Sequence, residues 1–291
     1  MHNNLIMELI ILLGQRVRSG TNFIGTTLKQ HPDVVCVPLN TSLGEMNLFK
    51  DSSIKTQIFD KVSKSFGVCL ADEDFPDFMQ YYGELWISFL VKKYNLPRDK
   101  VVFIKSPYIE NVELWKLAFP NSQIAILSRD GRDNVISSIK ASNDRRTWHT
   151  NFIRFKKIFN YYSGRSFYAH SVDWKKTANI YHKISETSKL KKIRYEDLNN
   201  STKGIEELLN FYKLRTDPEI VKKCVSAPVV GSSFGISDKG MVKPNWEPIE
   251  NKKNFKFTGK WYKWNIFQKA LFKKIASKEL MQLNYSKDNN W

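Results

Sequence analysis

The residues best suited to chemistry stand in one short stretch, Gly14-Gln15-Arg16-Val17-Arg18-Ser19-Gly20-Thr21-Asn22-Phe23. It follows the apolar run Leu9–Leu13 and precedes a helix-like segment from Phe23 to Gln30. The order is strand, tight loop, helix. Two arginines, two hydroxyls and a turn glycine ending at a helix N-terminus suit a doubly charged oxyanion. Backbone N–H groups point at the anion, the helix dipole favours negative charge, and arginine adds bidentate hydrogen bonds. Arg16, Arg18, Ser19, Gly20, Thr21 and Asn22 are the candidate ligands. The loop departs from the ATP-type P-loop, which places four residues between its glycines and then Lys and Ser/Thr. Here five residues separate Gly14 from Gly20, and Thr21-Asn22 replaces the lysine and hydroxyl, so the usual magnesium ligand is not expected. Taken alone, the stretch also fits an ordinary strand-to-helix turn that carries arginines.

A second stretch has similar character. The apolar run Ile124–Leu127 leads into Ser128-Arg129-Asp130-Gly131-Arg132-Asp133 and a helix carrying Ser137 and Ser138. Arg129 leaves the strand end and Ser137 follows eight residues later, about one turn into the helix. Both can face one anion above the carboxyl edge of a sheet, where ligands of open α/β sheets bind. By itself this pattern is also a common salt-bridged helix cap.

These loops need a scaffold, and the chain is long enough to build it. With 291 residues and 42% hydrophobic content it can bury a sizeable core. Short apolar runs at Leu9–Leu13, Val34–Val37, Val101–Ile104, Ile124–Leu127 and Ile193–Tyr195 alternate with helical patterns. The helices are expected at 54–65, 75–94, 112–118, 133–141, 174–188, 202–212 and 266–283. That alternation predicts an α/β fold, a central parallel sheet flanked by helices. One domain is expected over 1–291, with a core of about 8–285. The aromatic and basic segment within 145–172 and the aperiodic interval 227–263 are expected as a cap or lid and a long loop.

Composition narrows the partners. Formal net charge is +17, from 46 Lys and Arg against 29 Asp and Glu. The basic residues are spread along the chain, and no zinc-finger, helix-turn-helix or RNA-binding pattern stands out, which disfavours nucleic acid. No apolar run reaches the ~20 residues of a membrane span, and the first apolar run lacks a basic leader. Cys36, Cys69 and Cys224 are odd in number and far apart. They form neither a disulfide framework nor a metal-ligand set, so reduced thiols, no metal and a cytoplasmic location are expected.

Strand–Arg18-Ser19-Gly20-Thr21–helix followed by strand–Arg129-Asp130-Gly131-Arg132-Asp133–helix–Ser137 resembles the sulfotransferases that use 3′-phosphoadenosine 5′-phosphosulfate (PAPS). Ile193-Arg194-Tyr195-Glu196-Asp197-Leu198 and Gly259-Lys260-Trp261, with the helix ending at Tyr285, are similar to two further family segments. The resemblance implies a P-loop-like architecture, with the first loop holding the 5′-phosphosulfate and Arg129 with Ser137 holding the 3′-phosphate. It places Tyr195 near the adenine and lets the loop of Gly259 and Lys260 close on the donor. Ser233 is a weaker candidate for a hydroxyl near the phosphosulfate, as in comparable late loops of relatives.

The implied reaction moves a sulfuryl group in line from PAPS to an acceptor hydroxyl or amine, without metal. By analogy with phosphoryl transfer, positioning and charge stabilisation dominate. Arg18 and Lys105, which follows the strand Val101–Ile104, are the candidate cations for the leaving phosphate, with Arg16 in support. Glu45 is the candidate base, with His31 and His149 as alternatives; His31 in His-Pro-Asp reads better as a helix-end cap. The acceptor class stays open among carbohydrate, lipid, protein and small molecule. The basic surplus points to an anionic acceptor or to peripheral contact with an acceptor-bearing membrane. The competing readings are a nucleotide kinase and a non-enzymatic binder of nucleic acid or another polyanion.

Overall fold

Strand β1 (Leu9–Gly14) is buried at every position, which explains its unbroken apolar sequence: a strand in the middle of a parallel sheet is covered on both faces. The computed structural model describes residues 7–37, 43–65, 70–143, 150–228, 230, 233–236, 242–245 and 258–291. Within them β1 is flanked by β3 (Val101–Ser106) and β4 (Gln123–Ser128), with β2 (Val34–Cys36) and β5 (Leu190–Arg194) at the edges. The order is β2-β3-β1-β4-β5 and every pairing is parallel. A short antiparallel pair, β6 (Ser233–Ile236) and β7 (Val242–Asn245), lies apart from this sheet.

Parallel neighbours require crossovers, and helices supply them. They are α1 (Thr21–Lys29), α2 (Asp60–Ser63), α3 (Phe75–Tyr94), α4 (Val112–Ala118), α5 (Gly131–Ser142), α6 (Asn151–Tyr162) and α7 (Arg165–Lys183). After β5 come α8 (Tyr195–Leu198), α9 (Thr202–Phe211), α10 (Pro218–Val225) and α11 (Ile266–Gln282). Alternation along the strands divides the core in two. Leu9, Ile11, Leu13, Val102, Ile104, Ile124 and Ile126 join the side chains of α3, α4, α5, α7 and α11. Ile10, Leu12, Phe103, Ala125 and Leu127 face the opposite way, onto α1, α8, α9 and α10. Each fully buried Leu or Ile contributes about 1.5–3 kcal/mol, so the two layers together hold the sheet between them.

Three expectations need adjustment. The fifth strand begins at Leu190, and Tyr195 starts α8; Lys191 and Lys192 disguise the strand because an edge position tolerates charge. Helix α7 begins at Arg165 and not at Trp174, since Phe167 and Ser171 extend its buried face by two turns. The 227–263 interval is not wholly loop, as it contains β6 and β7. Cys36 and Cys224 are free and buried, while Cys69 lies outside the described residues. Among the described residues no helix is long and apolar enough to cross a membrane.

Helices α3 and α4 approach closely at Gly83, where an added Cβ would lie 2.0 Å from the Ala118 carbonyl oxygen. Alanine would gain about 1 kcal/mol of helix propensity there, but a backbone oxygen cannot swing aside as a flexible side chain can. Gly83→Ala is therefore expected to destabilise by about 1–3 kcal/mol net in urea unfolding. A variant as stable as the parent would show that α3 and α4 are not in this contact.

Candidate functional site

The site forms where the sheet's central strands end. Register sets this: Leu12 pairs with Lys105, Leu13 with Ser106, Gly14 with Leu127, and Ser128 with Arg194. The ends of β1, β3, β4 and β5 thus share one edge, and β1 is the point where crossovers diverge to either side. The chain leaves β1 at Gly14, where a Cβ would press on Thr21 Cγ2 at 2.9 Å. Ser19 Oγ accepts from the Arg16 backbone N–H at 3.2 Å and closes the turn. Gly20 is the N-cap of α1 with φ 103°, so no side chain caps the helix. Its first-turn N–H groups sit at the positive end of the dipole, and that of Phe23 already bonds the Gly20 carbonyl at 2.9 Å. A Cβ on Gly20 would lie 2.4 Å from the Tyr195 ring, so Tyr195 closes one side of the loop.

The second motif meets the first directly. Arg18 adopts φ 74° and its Nε donates to Ser137 Oγ at 3.1 Å, while Arg129 Nη1 donates to the Arg18 carbonyl at 3.1 Å. The Arg129 guanidinium lies over the Tyr195 ring, 4.8 Å from its centroid. Gly259 and Lys260 join the same place: both backbone N–H groups donate to the carboxylate of Asp133 at 2.7 Å. Burial lowers the pKa of Arg18, and the nearby Arg129 charge lowers it further. Lys260 is lowered first by burial and then by Arg129 and Lys140. Burial likewise raises the Asp133 carboxyl against the pull of its two backbone donors. Several cations are gathered here at an electrostatic cost, which an oxyanion of two or more charges would relieve.

Lys105 is fully buried, yet its ammonium has two partners: Glu45 Oε2 at 2.8 Å and Asn22 Oδ1 at 2.9 Å. Alternation along β3 puts it on the α1 face, with Phe103 and opposite to Ile104. The Glu45 segment is laid against β3 by backbone bonds, Lys105 N–H to the Gly44 carbonyl and Met46 N–H to the Lys105 carbonyl. Gly44 has φ 85° and its α-carbon lies against Phe103, which only glycine permits without strain. Burial lowers the Lys105 pKa, and the Glu45 charge opposes that shift. The Glu45 side chain is 28% exposed and so remains reachable from outside.

The Sulfotransferase family model matches residues 10–218, which include both motifs and, but for Leu9, the five strands of the main sheet. The chain belongs to the sulfotransferase family. No curated protein matches it significantly. Among solved structures, mouse sulfotransferase SULT7A1 complexed with PAP is 15% identical with a TM-score of 0.48, over 96% of this chain and 85% of that one. The sulfotransferase domain from the curacin biosynthetic pathway is 14% identical (TM-score 0.48), over 94% of this chain and 97% of that one. A sulfotransferase from Alicyclobacillus acidocaldarius is 10% identical (TM-score 0.47), over 96% of each chain.

In this member of the family the candidate residues fall into groups. Arg18, Ser137, Arg129, Tyr195, Gly259 and Lys260 converge around the first loop, and Asn22, Lys105 and Glu45 form a second group beside it. Arg16 is engaged elsewhere: Nη1 donates to Asn134 Oδ1 at 2.8 Å and Ser138 Oγ at 2.9 Å, and Nη2 to His170 Nδ1 at 2.9 Å and Asp173 at 3.2 Å. It braces the loop against α5 and α7. His31 sits at the end of α1, its Nδ1 accepting from Asp33 N–H and its Nε2 donating to the Arg215 carbonyl. Ser233 lies in β6, whose side chains are outside the described residues, as are Ser232 and His149. Among the described residues no cluster of three or more metal-ligating side chains forms.

Sequence reasoning overlooked the braces. Asn134 receives Arg16 and donates to the Val17 carbonyl at 3.2 Å, while Asp133 holds the 259–260 turn. The i, i+4 spacing of Asn134 and Ser138 was a usable signal, since it puts both on one face of α5. His170 was silent in sequence. Its Nδ1 accepts from Arg16, and burial followed by the Arg16 charge lowers its pKa to about 4, so the imidazole is neutral in the fold. Against an unfolded value of about 6.5, folding loses proton affinity here. Stability is full above pH 6.5 and falls as pH drops towards 4, by ~1–2 kcal/mol for a ring that solvent partly screens. Thermal melts from pH 7 to 4.5 are expected to show a smaller decline in His170→Gln than in the parent; parallel curves would remove His170 from the brace.

Proposed function

We propose that the protein transfers a sulfuryl group from PAPS to an acceptor hydroxyl or amine by in-line displacement. The observation that carries this reading is the junction of the two basic motifs: Arg129 bonds the Arg18 carbonyl, and Arg18 bonds Ser137, at the sheet edge of a sulfotransferase-family chain. One adenylate with charged groups at both ends suits such a paired cradle better than a single oxyanion does. The first-turn N–H groups of α1 with Arg18, Ser19, Gly20, Thr21 and Asn22 are assigned to the 5′-phosphosulfate. Arg129 and Ser137 are assigned to the 3′-phosphate, Tyr195 to the adenine side, and Gly259 and Lys260 to the cover. Arg16 is assigned a supporting role through the loop it braces. We assign the whole of 1–291 to one domain.

Lys105 and Glu45 supply the chemistry in this reading. The acceptor oxygen forms its bond to sulfur as the bond from sulfur to the bridging oxygen breaks. The acceptor proton passes to Glu45, and the charge left on the bridging oxygen is met by Lys105 and Arg18. The observed pair suits a hand-over: as Lys105 turns to the leaving oxygen it releases the Glu45 carboxylate to act as base. Solvent access to Glu45 provides the acceptor's approach.

Adenosine 3′,5′-bisphosphate at about 100 times its Kd is expected to raise stability by about 2.7 kcal/mol in a thermal shift, with ATP–magnesium and single-stranded DNA giving much less. Arg129→Ala should weaken the bisphosphate far more than AMP, which lacks the 3′-phosphate. Equal stabilisation by ATP would favour a kinase, and equal losses in the variant would make Arg129 structural. Glu45→Gln is expected to lower turnover about 10²–10⁴-fold while bisphosphate affinity changes little. Undiminished turnover would place the base elsewhere.

A further inference from the structure

Helix α6 presents its apolar side to the outside. A surface helix ordinarily turns that side to the core. In α6 the partly buried positions are Ile153, Lys157 and Asn160, spaced as one face towards the protein, where the helix meets α7. Phe152, Phe155, Phe159 and Tyr162 follow the spacing i, i+3, i+7, i+10 and occupy about a quarter of the circumference, off that face. Their exposures are 76%, 72%, 46% and 82%. The row is ordered, with the rings of Phe155 and Phe159 stacked at 6.5 Å. Arg154 borders it on one side and Lys156 on the other, and Arg165 lies over the Phe159 ring at 4.9 Å. The helix carries no acidic residue.

Further exposed apolar residues lie beyond the helix. Phe167, near the start of α7, packs on Trp264 at 5.0 Å, and this buried contact ties α7 to the turn after Lys260. That turn and the start of α11 expose Tyr262, Ile266 and Phe267. Scattered apolar residues on a surface are ordinary, but a contiguous patch marks an interaction site. Aromatic residues in a row, cations on both flanks and no acid describe a helix that lies in a lipid interface. The formal charge of +17 selects an anionic surface.

We propose that α6 docks the protein on an anionic lipid bilayer, seating Phe152, Phe155, Phe159 and Tyr162 among the headgroups while Arg154, Lys156 and Arg165 meet lipid anions. This goes beyond the sulfuryl-transfer reading, and its test measures no turnover, so the two stand or fall separately. The full chain is sedimented with vesicles of phosphatidylcholine alone and of phosphatidylcholine mixed with phosphatidylserine. Partition is expected to be at least about tenfold higher on the anionic vesicles and to fall with added salt, each cation weighting it about fivefold. Phe155→Ser combined with Tyr162→Ser should cut partition at least about tenfold with an unchanged melting temperature, because both side chains are exposed. Lys156→Glu should abolish most of the preference for phosphatidylserine. Partition indifferent to lipid charge, or retained in both variants, overturns the proposal. So does a concentration-dependent dimer that Phe155→Ser dissolves, which would assign the face to a second copy of the chain.

Discussion

Strand register is the constraint on which the site depends. Lys105 is paired with Leu12 in the centre of the sheet and emerges on the α1 face, where Asn22 and Glu45 receive it. A slip of one residue in β3 would carry its ammonium to the other face, among the apolar side chains of α3 and α4. The same applies across β1: Gly14 opposite Leu127 brings the first loop level with the start of the second. Apolar alternation enforces both registers, since any slip would also expose Phe103 or Ile104 to the wrong layer. The chemistry of the edge is thus secured by greasy residues that take no part in it.

On that edge the fold assembles charges that resist being together. Burial lowers the proton affinity of Arg18, Lys105 and Lys260 alike, and Arg129 adds repulsion to two of them. Backbone and neutral groups keep the assembly in place. Asp133 grips a turn, Asn134 ties Arg16 to the Val17 carbonyl, and His170 accepts from Arg16 without adding charge. Arg132 completes the frame, its guanidinium bonded to Asp130 and the Tyr285 carbonyl and lying 3.9 and 4.7 Å from the ring centroids of Trp261 and Trp291. Dipoles and cations fixed in this way can stabilise developing charge without rearranging at the moment of reaction.

The strands and the two basic loops were legible in the sequence because both are local signals. An unbroken apolar run of five residues such as Leu9–Leu13, closed by a glycine, has the length of a doubly covered strand and is too short for a buried helix. The lysine-rich β5 was harder to bound, since an edge strand need not look apolar. The braces escaped because they join residues 117 to 157 positions apart, and nothing near His170 or Asp173 in the chain hints at Arg16. The outward row on α6 was visible as composition, an aromatic and basic segment. Which side it turned to the protein was not, because that depends on where α7 lies.

The way Asp133 holds the 259–260 turn has a consequence for how this enzyme family can diversify. Its carboxylate bonds two main-chain N–H groups, so the grip is blind to which side chain follows Gly259. Position 260 can therefore change its side chain without losing either bond to Asp133. Charge and reach beside the site can be altered there while the turn keeps its mount.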